Sequence, residues 1–225
     1  PDIRVNVKLS KGKAVVALDL SGESLHRRGY RTESGKAPIK ENLGAALLQR
    51  CNWSELASHH AALVDPMCGS ATLLVEGAMI LCDKAPALDR AQFGFLRWKQ
   101  HQDDVWKVLI DEAIERFEVG LNKCIKQQAA GYNLLVGFDA DSSVISVARS
   151  NIKRAGLQEV IRVDVQDLAN LKALDCASDE SAHDVAQPRG LLLTNPPYGE
   201  RLGDVESLKG LYRCLGDKLK SEFDG

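Results

Sequence analysis

The sequence lacks an apolar run near the roughly 20 residues that a membrane-spanning helix needs. Its six cysteines form no Cys-x-x-Cys pair and no cluster with histidine at metal-ligand spacing, which argues against zinc and against a disulfide framework. The first residues, Pro1-Asp2-Ile3-Arg4, do not resemble a signal segment and do not begin with methionine. We therefore expect a cytoplasmic fragment of a longer protein, with no membrane partner and no metal.

Positive charge is concentrated near the start of the chain. The formal net charge is -2, yet residues 1–40 hold about nine Lys and Arg against about four acids. A basic arm on an acidic body is typical of a segment that binds nucleic-acid phosphates. Arg27, Arg28 and Arg31 are the candidate RNA contacts within it. Two alternatives are a solvated hairpin face and a Tyr30–Arg31 contact that locks the arm onto the body.

The hydrophobic pattern changes along the chain. Strands at 3–9 and 14–20 around a turn predict a hairpin, and a helix is expected at 40–51. From residue 62 onward, short buried strands alternate with helices, which predicts an α/β fold with a Rossmann-like parallel sheet covered on both faces. The strands are expected at 62–64, 134–138, 161–163 and 190–194, the helices at 71–81, 103–128, 143–155 and 207–223, and a polar loop at 175–187.

A small-residue loop follows the strand at 62–64. Gly69 and its small neighbours let the backbone approach a ligand before a helix begins. The spacing matches neither the dinucleotide nor the phosphate-loop pattern, so NAD and ATP fit poorly. The predicted cofactor-binding residues of this loop are Asp65, Pro66, Cys68, Gly69, Ser70, Ala71 and Thr72.

Acidic residues follow the next two strands. Asp139 is placed to accept the ribose hydroxyls of an adenosine group, and Asp167, which we prefer over Asp164, to accept the adenine amine. A single such residue is more often a turn or a helix cap. Because open parallel sheets bind ligands at the carboxyl ends of their strands, the succession of acids strengthens the prediction.

The tetrapeptide Asn195-Pro196-Pro197-Tyr198 follows the last predicted strand and supplies the catalytic candidates. Two prolines fix φ and remove two donors, so the Asn195 side chain and the Pro196 carbonyl can be rigid acceptors for a planar amine. Tyr198 can stack on the base that carries this amine. Asn195 also borders the expected cofactor. The pattern predicts methyl transfer from S-adenosyl-L-methionine to a planar nitrogen.

The chain resembles the THUMP-associated RNA methyltransferases, most closely the N-terminal methyltransferase portion of the bacterial large-subunit ribosomal RNA enzymes. The resemblance is carried by residues 19–31, 37–41, 65–72 and 195–202. It implies a class I methyltransferase domain at 33–225, lacking its last strands, after a hairpin arm at 1–32 that closes a THUMP domain. It also implies N(2)-methylation of a guanosine in 23S ribosomal RNA and the possibility of a second methyltransferase domain in the parent chain. Ala71 stands where the family usually has glycine.

Enzymes with other substrates have a similar tetrapeptide. It also resembles that of adenine 6-amino DNA methyltransferases and of glutamine methyltransferases, and a non-catalytic RNA-binding scaffold is a further alternative. The basic arm favours RNA. Because the sheet is expected to be incomplete, we expect residues 1–225 alone to bind cofactor weakly and not to turn over.

Overall fold

The computed structural model describes residues 3–31, 39–132, 134–174, 190–198 and 205–223, without the side chains of 205–207. Two antiparallel strands, β1 (Arg4–Ser10) and β2 (Lys13–Asp19), form the expected hairpin. Nearly every residue of both strands is exposed, including Val7, Leu9 and Val16. The hairpin is a separate sheet from the one in the body.

In the part of the chain that the structure describes, the body contains four parallel strands in the spatial order β5-β4-β3-β6. The strands are β3 (Ala62–Asp65), β4 (Leu135–Asp139), β5 (Ile161–Val165) and β6 (Gly190–Leu192). The described helices are α1 (Glu41–Arg50), α2 (Trp53–Ser58), α3 (Thr72–Leu81), α4 (Asp103–Ala129), α5 (Ser142–Arg154) and α6 (Val205–Glu222). The sequence analysis missed the short helix α2 and two 3-10 turns at Gly94–Arg97 and Leu168–Asn170. None of the helices in the described ranges is long and apolar enough to cross a bilayer.

The sheet is packed between helices because its central strands are apolar on both faces. All four residues of β3 are buried, and the main core joins β3 and β4 to α3 and α5. A smaller cluster on the other face joins Val64, Leu168 and Leu171 to α6. Burial on both faces is typical of a parallel sheet in an α/β protein.

The strand β6 ends two residues earlier than expected, although the amide of Leu193 still donates to the carbonyl of Val64 (3.0 Å). Pro196 and Pro197 follow, and they have no N–H to extend the ladder. The predicted loop at 175–187 and the proposed boundary between residues 32 and 33 lie outside the described residues.

The end of the hairpin is attached to the body through the connection between α3 and α4. The amide of Phe95 donates to the carbonyl of Leu20 (3.0 Å), and the guanidinium of Arg90 donates to the carbonyls of Ser21 (3.2 Å) and Glu23 (2.6 Å). These bonds fix the residues that lead from β2 towards the body.

Candidate active site

The cofactor loop, residues 65–72, leaves β3 and runs into α3. Its path requires left-handed backbone at Gly69 (φ +54°) and at Ala71 (φ +66°). Glycine adopts this conformation freely, whereas alanine does so at a cost of roughly 1–2 kcal/mol. The strain explains why a glycine would suit position 71, where the sequence resemblance also expects one.

Backbone and side-chain hydrogen bonds hold the loop against β4. The amide of Cys68 donates to the carbonyl of Phe138 (2.8 Å), and the amide of Gly69 donates to Asp139 Oδ2 (3.1 Å). Gly137 lies directly beneath, where an added Cβ would clash with the side chains of Cys68 and Leu74. The close approach of loop and strand therefore depends on the glycine in β4.

A cleft of about 600 Å³ opens at the carboxyl ends of the strands. Its volume is within the range of small-molecule and cofactor sites. The cleft is lined by all but one of the predicted cofactor-binding and catalytic residues, namely Asp65, Pro66, Cys68, Gly69, Ser70, Thr72, Asp139, Asp167, Asn195, Pro196, Pro197 and Tyr198. The exception is Ala71, whose side chain is fully buried.

The carboxyl group of Asp65 lies buried in the wall of the cleft. Its side chain accepts a hydrogen bond from the amide of Met67 (3.2 Å) and forms no ion pair within the described residues. Burial is the main cause that raises the pKa of Asp65 to about 7. The Thr194 hydroxyl and the Met67 amide act in the opposite direction, and the charge of Asp139 makes the smallest contribution, in the same direction as burial. The Thr194 hydroxyl makes no hydrogen bond of good geometry. The site thus contains a buried acid without a cation.

Cys68 is a neutral part of the cleft wall. Burial raises the pKa of its thiol far above the usual range, and the neighbouring charges of Asp65 and Asp139 act in the same direction. A thiol that stays protonated is a poor nucleophile. Cys68 therefore contributes shape and apolar surface to the cleft.

The two acids at the next strand ends have different surroundings. Asp139 accepts hydrogen bonds from the amides of Gly69 and Asp141 (3.0 Å), so both of its oxygens are fixed in position. Asp167 is exposed and caps the following 3-10 turn through the amide of Ala169 (2.8 Å). Asp164 does not line the cleft but pairs with Arg149 (3.0 Å). The geometry therefore favours Asp167 over Asp164, although Asp167 is also a cap.

The tetrapeptide lies at the opposite end of the cleft from Asp167. Tyr198 is 61% exposed, so its ring is available to a stacking partner. Tyr212 of α6 donates a hydrogen bond from its hydroxyl to the carbonyl of Pro197 (3.2 Å). This bond links the tetrapeptide to the helix that follows it.

The structure gives Arg28 and Arg31 a role different from the predicted phosphate contacts. Arg28 pairs with the buried Glu76 (3.3 Å) and Arg31 with the buried Glu41 (2.9 Å). Tyr30 is also buried. These arginines hold the arm on the body, as the alternative in the sequence analysis allowed for Arg31. Arg27 differs, because it is exposed and its ion pair among the described residues is with the exposed Glu23 (3.4 Å).

Sequence reasoning missed several residues of the cleft. Asp141 and Gln166 are polar neighbours of predicted residues. Asp141 could have been found from the sequence, because Asp141-Ser142-Ser143 is typical of a helix N-cap. Leu73 directly follows the predicted Thr72, and Ile39 lies in the 37–41 segment of the family resemblance, whereas nothing in the local pattern of Leu211 marks it.

Comparison with known proteins agrees with this geometry. A family model described as UPF0020, RMKL-like methyltransferase domain, matches residues 28–225. The chain is 49% identical over its whole length to a ribosomal RNA large subunit methyltransferase K/L of Cellvibrio japonicus and 45% identical to that of Syntrophotalea carbinolica. It spans 28% and 29% of the lengths of these relatives.

Solved structures show the same fold. SMU.472, crystallised in complex with SAH, is 32% identical with a TM-score of 0.77, over 97% of this chain and 50% of that one. A Listeria monocytogenes protein named as a predicted N6-adenine-specific DNA methylase is 31% identical with a TM-score of 0.77, over 98% of this chain and 51% of that one. These matches confirm the expected fold class and the expected family of S-adenosylmethionine-dependent methyltransferases. The chain belongs to the UPF0020 family of RMKL-like methyltransferase domains.

Proposed function

We propose that this chain is the cofactor-binding and catalytic domain of an enzyme that methylates the exocyclic 2-amino group of a guanosine in 23S ribosomal RNA. The observation that carries the proposal is the order of polar residues along one edge of the sheet. Following the strands β5-β4-β3-β6, this edge presents Asp167, Asp139, Asp65 and then Asn195, all lining one cleft.

The order matches the parts of S-adenosylmethionine. Asp167 would accept the adenine amine, Asp139 the ribose hydroxyls, and Asp65 would face the ammonium of the methionine part. The fit is supported by Asp65, since a buried carboxyl group without a cation is suited to a cationic ligand. Gly69 and Ser70 would lie alongside the middle of the ligand. When bound, the cofactor supplies an electrophilic methyl group on a sulfonium.

The tetrapeptide would bind and activate the nucleophile. The Asn195 side-chain oxygen and the Pro196 carbonyl would accept the two N–H groups of the guanine amine, which favours the pyramidal form whose lone pair attacks the methyl group. Tyr198 would stack on the base and hold it flat after it has been turned out of its helical stack. The methylated nitrogen is strongly acidic and loses its proton to water or to one of these acceptors.

RNA would contact the basic hairpin. Arg4, Lys8, Lys11 and Lys13 are exposed on the two strands and their turn, and Arg27 is exposed nearby. Each such charge that binds a phosphate releases a counterion and steepens the salt dependence of RNA affinity. Replacing Arg27 by alanine should make that dependence shallower, whereas an unchanged slope would remove Arg27 from the interface.

The relatives are named ribosomal RNA large subunit methyltransferase K/L, and this chain spans less than a third of their length. A second methyltransferase domain in the parent chain would account for the two letters, K and L, in that name. We propose that the present chain carries the guanine-N(2) activity within such a parent protein.

Nucleoside mass spectrometry of 23S ribosomal RNA tests the substrate. Cells that lack the gene should lose N(2)-methylguanosine at one position, and the gene with Asn195→Ala should not restore it although the protein accumulates normally. Loss of N(6)-methyladenosine from the RNA, or of N(6)-methyldeoxyadenosine from DNA, would support the adenine alternative; the Listeria monocytogenes protein is named for the DNA reaction. If Asn195→Ala restores the modification fully, the proposed role of the tetrapeptide is wrong.

A further inference from the structure

One helix position on the apolar side of α5 is polar. The buried residues of α5 are Ile145, Ala148, Asn151 and Ile152, and Asn151 has no exposed surface. A buried amide without hydrogen bonds destabilises a fold by about 1–3 kcal/mol, so its partners show what the residue does. Asn151 has a partner at each end of its amide.

Asn151 connects α5 to the cofactor loop. Its Nδ2 donates to the carbonyl oxygen of Ser70 at 3.0 Å in the buried interior. Ser70 lies between the two left-handed residues Gly69 and Ala71 and lines the cleft. Because a peptide unit is planar, fixing the Ser70 carbonyl also fixes the orientation of the amide of Ala71. Asn151 thereby sets the course of the loop at its most strained point.

Arg154 connects Asn151 to the arm. Its Nη2 donates to Asn151 Oδ1 (2.6 Å), and its Nε donates to the carbonyl of Tyr30 (2.8 Å). Tyr30 is 2% exposed and its hydroxyl donates to Glu76 Oε1 (3.2 Å). A guanidinium with two fixed partners holds the amide of Asn151 in a single orientation, because the carbonyl end accepts and the nitrogen end must then face Ser70.

The same arm segment contacts the loop a second time. Arg31 Nη1 donates to Thr72 Oγ1 (3.3 Å) and to the carbonyl of Ile39 (2.8 Å), and both Thr72 and Ile39 line the cleft. The segment after the hairpin therefore holds the cofactor loop at two points. Arg31 contacts Thr72, where α3 begins, and Tyr30 is connected to Ser70 through Arg154 and Asn151.

We infer that Asn151 and Arg154 are positioning residues that hold the cofactor loop in its ligand-binding conformation from the arm side. Neither residue lines the cleft, so neither would contact the cofactor or the base. The inference rests on the proposed function, because it takes the cleft as the site of S-adenosylmethionine. It makes cofactor affinity depend on a hydrogen-bond chain that begins in the arm, at Tyr30.

Calorimetric titration with S-adenosylhomocysteine distinguishes positioning from a purely structural role. The wild type is compared with Asn151→Asp, which keeps the size and the Arg154 contact but removes the donor to Ser70, and with Arg154→Ala, which removes both bonds of the guanidinium. Arg149→Ala is the matched control, because Arg149 is on the same helix but pairs with Asp164 and the Val163 carbonyl. The titrations are made well below the unfolding temperature of each variant.

We expect Asn151→Asp and Arg154→Ala to raise the dissociation constant by about 10-fold at unchanged stoichiometry, as loss of a buried hydrogen bond implies. Arg149→Ala should stay within about twofold of the wild type. A lower stoichiometry with an unchanged dissociation constant would mean that the two residues only maintain the fold, and it would overturn the inference. If Asn151→Asp does not fold, Arg154→Ala alone decides the outcome. Absence of binding to the wild type would instead refute the proposed function.

Discussion

Replacing Asp65 by asparagine should stabilise the ligand-free protein at pH 8 and weaken its affinity for S-adenosylhomocysteine. The change keeps the size of the side chain and the acceptor for the Met67 amide, while the new amide group can donate to the unpaired Thr194 hydroxyl. It removes the charge and replaces one acceptor oxygen by a donor. The opposite signs of the two effects make the test specific.

The magnitude follows from the proton affinity of the buried group. Burial raises the pKa of Asp65 from 3.8 to about 7, so the folded protein holds this proton more tightly than the unfolded chain does. The contribution of the Asp65 proton to the free energy of unfolding is therefore fully present below about pH 4 and is lost progressively as the pH rises towards 7. A shift of this size corresponds to about 4 kcal/mol, and we expect Asp65→Asn to recover about 2–4 kcal/mol at pH 8.

Urea unfolding at pH 5, 6, 7 and 8 measures the effect. The difference between Asp65→Asn and the wild type should grow from pH 5 to pH 7 and then level off. Asp164→Asn is the control, because this acid is on β5 of the same sheet but is exposed, and the change should alter the free energy of unfolding by less than about 0.5 kcal/mol. A difference for Asp65→Asn that does not vary with pH, or a less stable variant at pH 8, would refute the reasoning.

Cofactor affinity should show the complementary trend. If the ligand ammonium requires ionised Asp65, the wild-type dissociation constant rises about 10-fold from pH 8 to pH 6, because the acid becomes protonated below its pKa of about 7. The Asp65→Asn variant should bind about 10- to 100-fold more weakly at pH 8 and without this pH dependence.

Further predictions concern packing and the arm. Gly137→Ala should lower the free energy of unfolding by about 1–3 kcal/mol and weaken binding of S-adenosylhomocysteine, since the added methyl group displaces the cofactor loop. Gly216→Ala, in open space on α6, should instead be neutral or stabilise by up to about 1 kcal/mol in the same urea titration. Arg28→Ala should destabilise by about 2–4 kcal/mol, because it leaves Glu76 buried without its cation, and an effect near that of Arg27→Ala, less than about 0.5 kcal/mol, would contradict this.

Local sequence patterns predicted most of the strands and helices, because burial on both sides of the sheet gives short apolar runs that alternate with amphipathic helices. The site was predictable for a similar reason. Residues that directly follow parallel strands meet at one edge, so Asp65, Asp139, Asp167 and Asn195 could be grouped from their positions alone. The structure brings all four into one cleft.

Long-range partners could not be predicted. Arg28 lies 48 residues from Glu76, and Asn151 lies 81 residues from Ser70, so no periodicity or motif relates the members of either pair. The charge of the arm indicated RNA contacts for Arg27, Arg28 and Arg31, whereas the fold pairs Arg28 with a buried acid. A basic side chain near an acid of the core loses the freedom to bind phosphate.

A crystal structure of this chain with S-adenosylhomocysteine tests the central claim most directly. We expect the adenine at Asp167, the ribose at Asp139, the amino group at Asp65 and the sulfur on the side of the cleft that faces Asn195. A ligand bound with its adenosine towards Asn195, or bound outside the cleft, would contradict this assignment of the site.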